Sequence, residues 1–251
     1  MRAYAQRKDL RGILRNTQSV LTPGREANTP PAAPPRPVVS VDRAETTAPV
    51  PPTSKGPLAM VLIGVSTGGP NALARVLPAL PANLGLPVLV VQHMPAIFTR
   101  TLAESLDKQC ALRVKEAEHN EIAHPNTVYI APGGHHMKTS IGPGGLPLIQ
   151  ISDDPPENNC RPSVDTLFRS AAHHFPGRVC AVIMTGMGSD GTLGLRLIKR
   201  HPAKVIAQDE ASCVVFGMPK EAITAGVVDI VSPLDGIAGE IRKIVSGGSH
   251  L

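Results

Sequence analysis

The sequence predicts an α/β fold: a three-layer, doubly wound, mostly parallel sheet with an antiparallel hairpin at its edge. Two observations predict it. Short apolar runs alternate with glycine-rich turns and with apolar stripes at helical spacing, the rhythm of strand, turn and helix. The composition is 42% hydrophobic but only 2% aromatic, which suits Val/Ile/Leu strands covered by helices on both faces.

The first 57 residues do not join this pattern. They hold ten of the 26 prolines and nine Lys/Arg against four Asp/Glu, so the whole net charge of +5 lies there. The rest of the chain balances 16 basic against 16 acidic residues. The high isoelectric point therefore describes a tail, and it carries no argument for nucleic-acid binding. Arg7 to Leu21 fits a frayed, solvated segment better than a short basic helix with Leu10, Ile13 and Leu14 on one side. Thr22 to Pro57, with Pro30-Pro31-Ala32-Ala33-Pro34-Pro35 inside it, reads as a disordered linker. Residues 58–251 form one domain of ordinary size.

Along that domain, Leu58 to Ile63 reads as a buried strand, followed by Gly64-Val65-Ser66-Thr67-Gly68-Gly69-Pro70. Pro70 suits the first turn of a helix, and Leu73, Val76 and Leu77 give it an apolar stripe. Val88 to Val91 is a second strand ending at Gln92-His93-Met94-Pro95. Phe98, Leu102 and Leu106 mark a helix whose stripe is expected in the core. Thr127 to Ile130 is a third strand. Met137 to Ile141 and Leu146 to Ile151, joined by Gly142-Pro143-Gly144-Gly145, predict the edge hairpin. Val164, Leu167, Phe168 and Ala171 mark a helix, and Val179 to Met184 the strongest strand. Thr185-Gly186-Met187-Gly188-Ser189-Asp190-Gly191 follows it, then a helix on Leu193, Leu197 and Ile198. Val205 to Ala207 and Val227 to Ile230 are further strands. Ile237, Ile241, Ile244 and Val245 close the domain with an amphipathic helix.

Cys110, Cys160, Cys180 and Cys213 have wide, irregular spacing and no C-x-x-C pair. They read as free thiols in a reducing compartment. No apolar run approaches the ~20 residues of a membrane span, and the basic N-terminus lacks the apolar core of a secretory signal. The expectation is a soluble, cytoplasmic protein with no membrane insertion.

Sites in open parallel sheets form beyond the carboxyl ends of the strands. Ser66, His93 and Asp190 each follow a predicted strand, so the topology carries them to one sheet edge. A serine hydroxyl needs a base to become a nucleophile, and histidine titrates in the useful range. The base needs a carboxylate to fix its tautomer, and the oxyanion needs backbone N–H donors. A helix N-terminus after Ser66 offers such donors, as does the Gly186-Met187-Gly188 loop. Gly64-Val65-Ser66-Thr67-Gly68 fits G-x-S-x-G, yet from spacing alone a nucleophile and a structural turn fit equally well. The chain order Ser, His, Asp differs from that of α/β-hydrolases, and the dinucleotide and P-loop motifs are missing. Asp209-Glu210 is a rival for the orienting carboxylate. Arg161 fits either substrate binding or a salt bridge that caps the Ser163 helix. His135-His136 and His173-His174 read as solvated loop and helix-surface histidines, since neighbours cannot face one pocket.

Six motifs together resemble the catalytic domain of the CheB family, the bacterial chemotaxis protein-glutamate methylesterases. They are the Gly64–Pro70, Gln92–Pro95 and Tyr129-Ile130-Ala131-Pro132-Gly133-Gly134 segments, Arg161-Pro162-Ser163-Val164-Asp165, Thr185–Gly191, and Gln208-Asp209-Glu210-Ala211-Ser212. The resemblance runs in order from about Met60 to the C-terminus. It implies Ser66, His93 and Asp190 as catalytic triad and Thr67 and Met187 as residues lining the site and its oxyanion hole, to which the loop reading adds Gly188 as a donor and Arg161 as a candidate substrate contact. It implies hydrolysis of γ-glutamyl methyl esters on the helical cytoplasmic region of chemoreceptors, with deamidation of certain glutamines. No metal or organic cofactor is implied. Well-known members begin with a phospho-accepting receiver domain, for which 57 residues are too few. A truncated chain and a stand-alone enzyme both fit, and a separate receiver protein is a candidate partner.

Overall fold

The structure is a computed structural model that describes residues 56–247. The expectations for Arg7–Leu21 and for the linker up to residue 55 lie outside the described residues. Seven parallel strands form the main sheet, in the order β10-β9-β8-β1-β2-β5-β3. They are β1 (Met60–Val65), β2 (Val88–Gln92), β3 (Arg113–Glu116), β5 (Thr127–Ile130), β8 (Val179–Ile183), β9 (Lys204–Gln208) and β10 (Ile230–Ser232). β1 lies at the centre, paired in parallel with β2 on one side and β8 on the other. That is the point where strand order reverses, and it is where an open α/β sheet leaves a crevice beyond its carboxyl ends.

The central strands are buried along their whole length, because side chains alternate between two separate cores. Val61, Ile63 and Val65 of β1 face one core with α1 (Gly69–Val76), α2 (Ala96–Asp107) and α6 (Leu234–Gly247). Met60 and Leu62 face the other, with α3 (Val164–His174), α4 (Thr192–Ile198) and α5 (Met218–Thr224). The expected doubly wound layering is thus present.

Three sequence expectations need correction, and three elements were missed. The hairpin of β6 (His136–Ile141) and β7 (Pro147–Ser152) forms, but it is not an edge of the main sheet. It pairs with β4 (Glu121–Ile122) in a separate antiparallel sheet of three strands, whose Met137 and Ile149 pack onto the α3 side core. Phe98 is not core: it is 52% exposed, and α2 buries Thr99, Ala103 and Leu106 instead. The last strand begins at Ile230 and runs to Ser232 rather than spanning 227–230. β3, β4 and α5 gave no sequence signal, since Arg113-Val114-Lys115-Glu116 and Glu121-Ile122 are too polar or too short to stand out.

Candidate active site

Ser66 and His93 directly follow β1 and β2, Asp190 lies in the loop between β8 and α4, and Arg161 lies in the segment before α3. The chain leaves β1 at Ser66, whose N–H donates to Thr185 O at 2.9 Å, while His93 N donates to Val65 O at 3.1 Å. These bonds stitch the segments after β1, β2 and β8 side by side. Gly186 is packed so tightly on Ser66 that a Cβ there would lie 2.6 Å from Ser66 Cβ. Gln92, fully buried at the end of β2, donates from Nε2 to both Ser66 O and His93 O at 3.0 Å. A Cβ on Gly69 would fall 1.8 Å from Gln92 Oε1, so the first turn of α1 requires glycine. One amide side chain therefore clamps the two segments that carry the serine and the histidine.

His93 Nε2 and Asp190 Oδ2 lie 2.7 Å apart. Asp190 is only 3% exposed, yet its carboxylate is well supplied with donors. Oδ1 accepts from Asn158 Nδ2 at 2.9 Å, Ser163 Oγ at 2.8 Å and Asp165 N at 3.1 Å. Oδ2 also accepts from Val164 N at 2.7 Å. The N–H groups of Val164 and Asp165 belong to the first turn of α3, so Asp190 occupies that helix's anion site. Burial opposes ionisation of Asp190, but the bonds from His93, Val164, Asn158 and Asp165 outweigh it and hold the carboxyl at about 2. An ionised Asp190 can only accept, which places the imidazole proton on Nε2 and leaves Nδ1 an acceptor, to which the Cys160 thiol donates at 3.7 Å.

Ser66 is partly exposed on the crevice, and among the described residues no hydrogen bond joins its hydroxyl to His93. Thr67, Met187 and Gly188 are exposed around it, Met187 most of all at 77%. Thr185 Oγ1 donates to Thr67 O at 2.9 Å, tying the turn after β1 to the Gly186–Gly188 loop. Arg161 lines a cavity of about 370 Å³ together with His93, Met94 and Cys160. Its guanidinium donates to the carbonyls of Asp153 and Asp154, both at 3.3 Å, and of the two alternatives the capping salt bridge does not form. Asp209 does not compete for His93: it accepts from Ser212 N and Oγ.

His135 is exposed, as expected, and pairs with Asp153. His136, read as solvated, is instead 1% exposed. Its Nδ1 accepts from Ser163 N at 3.2 Å and its Nε2 donates to Pro155 O at 3.0 Å. It thereby holds the segment whose Ser163 and Val164 serve Asp190. Asn158, Cys160, Ser163, His136 and Gln92 were not singled out from sequence as parts of this site. The only signal available for Ser163 was its place before the α3 stripe, the position of an N-cap.

A sequence model of the family described as CheB methylesterase matches residues 61–241. The chain belongs to the CheB methylesterase family. Over 192 residues it is 56% identical to the protein-glutamate methylesterase/protein-glutamine glutaminase of Desulfotalea psychrophila, covering 76% of this chain and 53% of that protein. Over 216 residues it is 44% identical to the second such protein of Caulobacter vibrioides, covering 85% of this chain and 59% of that one. The chain spans about half the length of the curated relatives it matches. The crystal structure of the Thermotoga maritima CheB methylesterase catalytic domain superposes with a TM-score of 0.73 at 43% identity, covering 76% of this chain and 100% of that domain. The α/β fold is thus that of a CheB catalytic domain.

Proposed function

We propose that this chain hydrolyses γ-glutamyl methyl esters on bacterial chemoreceptors, giving glutamate and methanol. The same acyl chemistry would deamidate certain receptor glutamines. The observation that carries this reading is the ionised Asp190 on His93 Nε2, with Ser66 at the end of the neighbouring strand.

Ser66 Oγ attacks the ester carbonyl while His93 Nδ1 takes its proton. The imidazolium that forms keeps its Nε2–H on Asp190, whose fixed negative charge stabilises it. The tetrahedral oxyanion is met by backbone N–H groups from the turn after Ser66 and from the Met187-Gly188 loop. His93 returns its proton to the departing methoxide, and methanol leaves. Water then repeats the sequence on the acyl-serine, with His93 again as base. Thr67 and Arg161 lie where they can line the path of the substrate chain. Nothing in these steps calls for a metal or an organic cofactor.

The natural setting is the cytoplasm, where the helical regions of chemoreceptors lie. No helix among the described residues is long and apolar enough to cross a membrane. Residues 58–251 act as the catalytic domain and 1–57 as a basic, proline-rich linker, with a receiver protein as a further partner. Methanol release from methylated receptor membranes tests the reading. Ser66→Ala is expected to abolish release and labelling by a serine-reactive phosphonate. A full rate in folded Ser66→Ala protein would overturn it.

A further inference from the structure

Cys160 takes no part in the mechanism above, yet it stands beside the base. Its thiol donates a hydrogen bond of 3.7 Å to His93 Nδ1, the nitrogen that Asp190 does not engage. Ligand atoms of His93, Cys160 and Asp190 all fall within 4.8 Å of one another. A tetrahedral zinc ion with Zn–S near 2.3 Å and Zn–N near 2.1 Å separates those two ligands by about 3.6 Å. The observed separation therefore needs almost no rearrangement to bracket a metal.

We propose that His93 Nδ1 and Cys160 Sγ form a binding site for a thiophilic divalent cation of the Zn²⁺ type, and that its occupation blocks the proposed hydrolysis. Asp190 is not a third ligand, since its two oxygens already accept five donors. It serves behind the imidazole instead, accepting Nε2–H and raising the basicity of Nδ1, as carboxylates behind metal-bound histidines do. Its charge also offsets that of the cation. His93 and Cys160 both line the 370 Å³ cavity bordered by Met94, Asn159 and Arg161, which gives water and metal an entry path. Thiolate and imidazole together select Zn²⁺, Co²⁺ or Cu ions over Mg²⁺ and Ca²⁺.

Binding exchanges the thiol proton for the metal: the S–H bond breaks, a Zn–S bond forms, and the proton passes to water. No electron is transferred. The lone pair on Nδ1 becomes a Zn–N bond, so the base cannot take the Ser66 proton until the metal leaves. This inhibitory half rests on the functional reading above, whereas the site itself does not.

Titration of the full chain with Co²⁺ separates the two. One equivalent is expected to produce a near-ultraviolet thiolate-to-cobalt charge-transfer band. The band should disappear in Cys160→Ser and in His93→Gln, each checked for fold by circular dichroism, and persist in Cys110→Ser and Cys213→Ser. Asp190→Asn should weaken binding by about 10- to 100-fold. Zn²⁺ should inhibit methanol release, and Cys160→Ser, measured against its own metal-free rate, should need at least tenfold more metal. No band, or a band that survives Cys160→Ser, overturns the site. A band without inhibition overturns the inhibitory role. A band in a chain that hydrolyses no ester when metal-free leaves the site standing and overturns the functional reading.

Discussion

The two ends of the candidate site are built in opposite ways. At the carboxylate end Asp190 is buried under the first turn of α3, and five donors fix it before any substrate arrives. At the serine end the rim is exposed and carries apolar side chains, with Met187 77% and Val214 66% exposed. Preorganised charge is most effective where water is excluded and least costly where it never has to move. On the proposed function the ester is carried on a folded protein, which would not enter a deep pocket, so the nucleophile would have to be approachable. The difference separates a rigid electrostatic half from an open docking half, and substitutions at the two ends should fail in different ways.

The largest effect is expected at the rigid end. Asp190→Asn keeps the shape but removes the charge and disfavours the tautomer with Nε2–H. Turnover should fall about 10⁴-fold, as the same change does in serine proteases. Stability should fall with it. The carboxyl of Asp190 is held near 2 from an ordinary 3.8, a difference of about 2 kcal/mol. Because the folded-state value is the lower one, that contribution is fully present above pH ~4 and is lost as the pH falls toward 2. Denaturant unfolding of the wild type between those pH values should show the loss, and the Asn variant should lack this part of the slope. Equal slopes would mean that Asp190 is not the ionised, stabilising group described.

Why this end was only half legible in the sequence follows from its chemistry. The loops that carry Ser66, His93 and Asp190 could be brought to one sheet edge because buried parallel strands read as apolar runs, while the triad roles came from the six-motif resemblance. The donors to Asp190 could not be found that way. Val164 and Asp165 contribute backbone N–H groups, which every residue possesses, and Asn158 and Ser163 lie more than 25 positions away along the chain. His136 was read as solvated because adjacent histidines on a polar strand give no sign of which face is covered. Phe98 failed for the related reason that helical spacing shows which residues share a face, not whether anything packs on it. The separate small sheet escaped because β4 is two residues long and its pairing with β7 is non-local.

A smaller effect is expected one step behind the carboxylate. His136→Ala leaves Ser163 N without a partner in a buried setting, releases Pro155 O to solvent and opens a void beneath the α3 N-terminus. The cost should be about 2–4 kcal/mol of stability. Turnover should drop about tenfold, because Ser163 and Val164 hold Asp190 less firmly. KM should stay within twofold, since nothing at the open rim has changed. A change confined to KM would show that the histidine acts on substrate rather than on the carboxylate.

The smallest effect, and the sharpest test of the comparison, belongs to Met187. Its side chain is exposed while its backbone lies in the loop packed on Ser66. Replacing it by alanine keeps the N–H that the oxyanion would need and removes only apolar surface, which on the proposed function would meet a receptor helix. Thermal stability should move by no more than about 0.5 kcal/mol, as for other exposed positions. Losing part of a Met side chain's burial against a partner costs about 1 kcal/mol, a fivefold fall in kcat/KM that should appear in KM with kcat unchanged. Steady-state kinetics on receptor membranes reads both constants. A fall in kcat with KM constant would place the Met187 side chain in the rigid half after all, and the division between a preorganised carboxylate and an open serine rim would have to be redrawn around it.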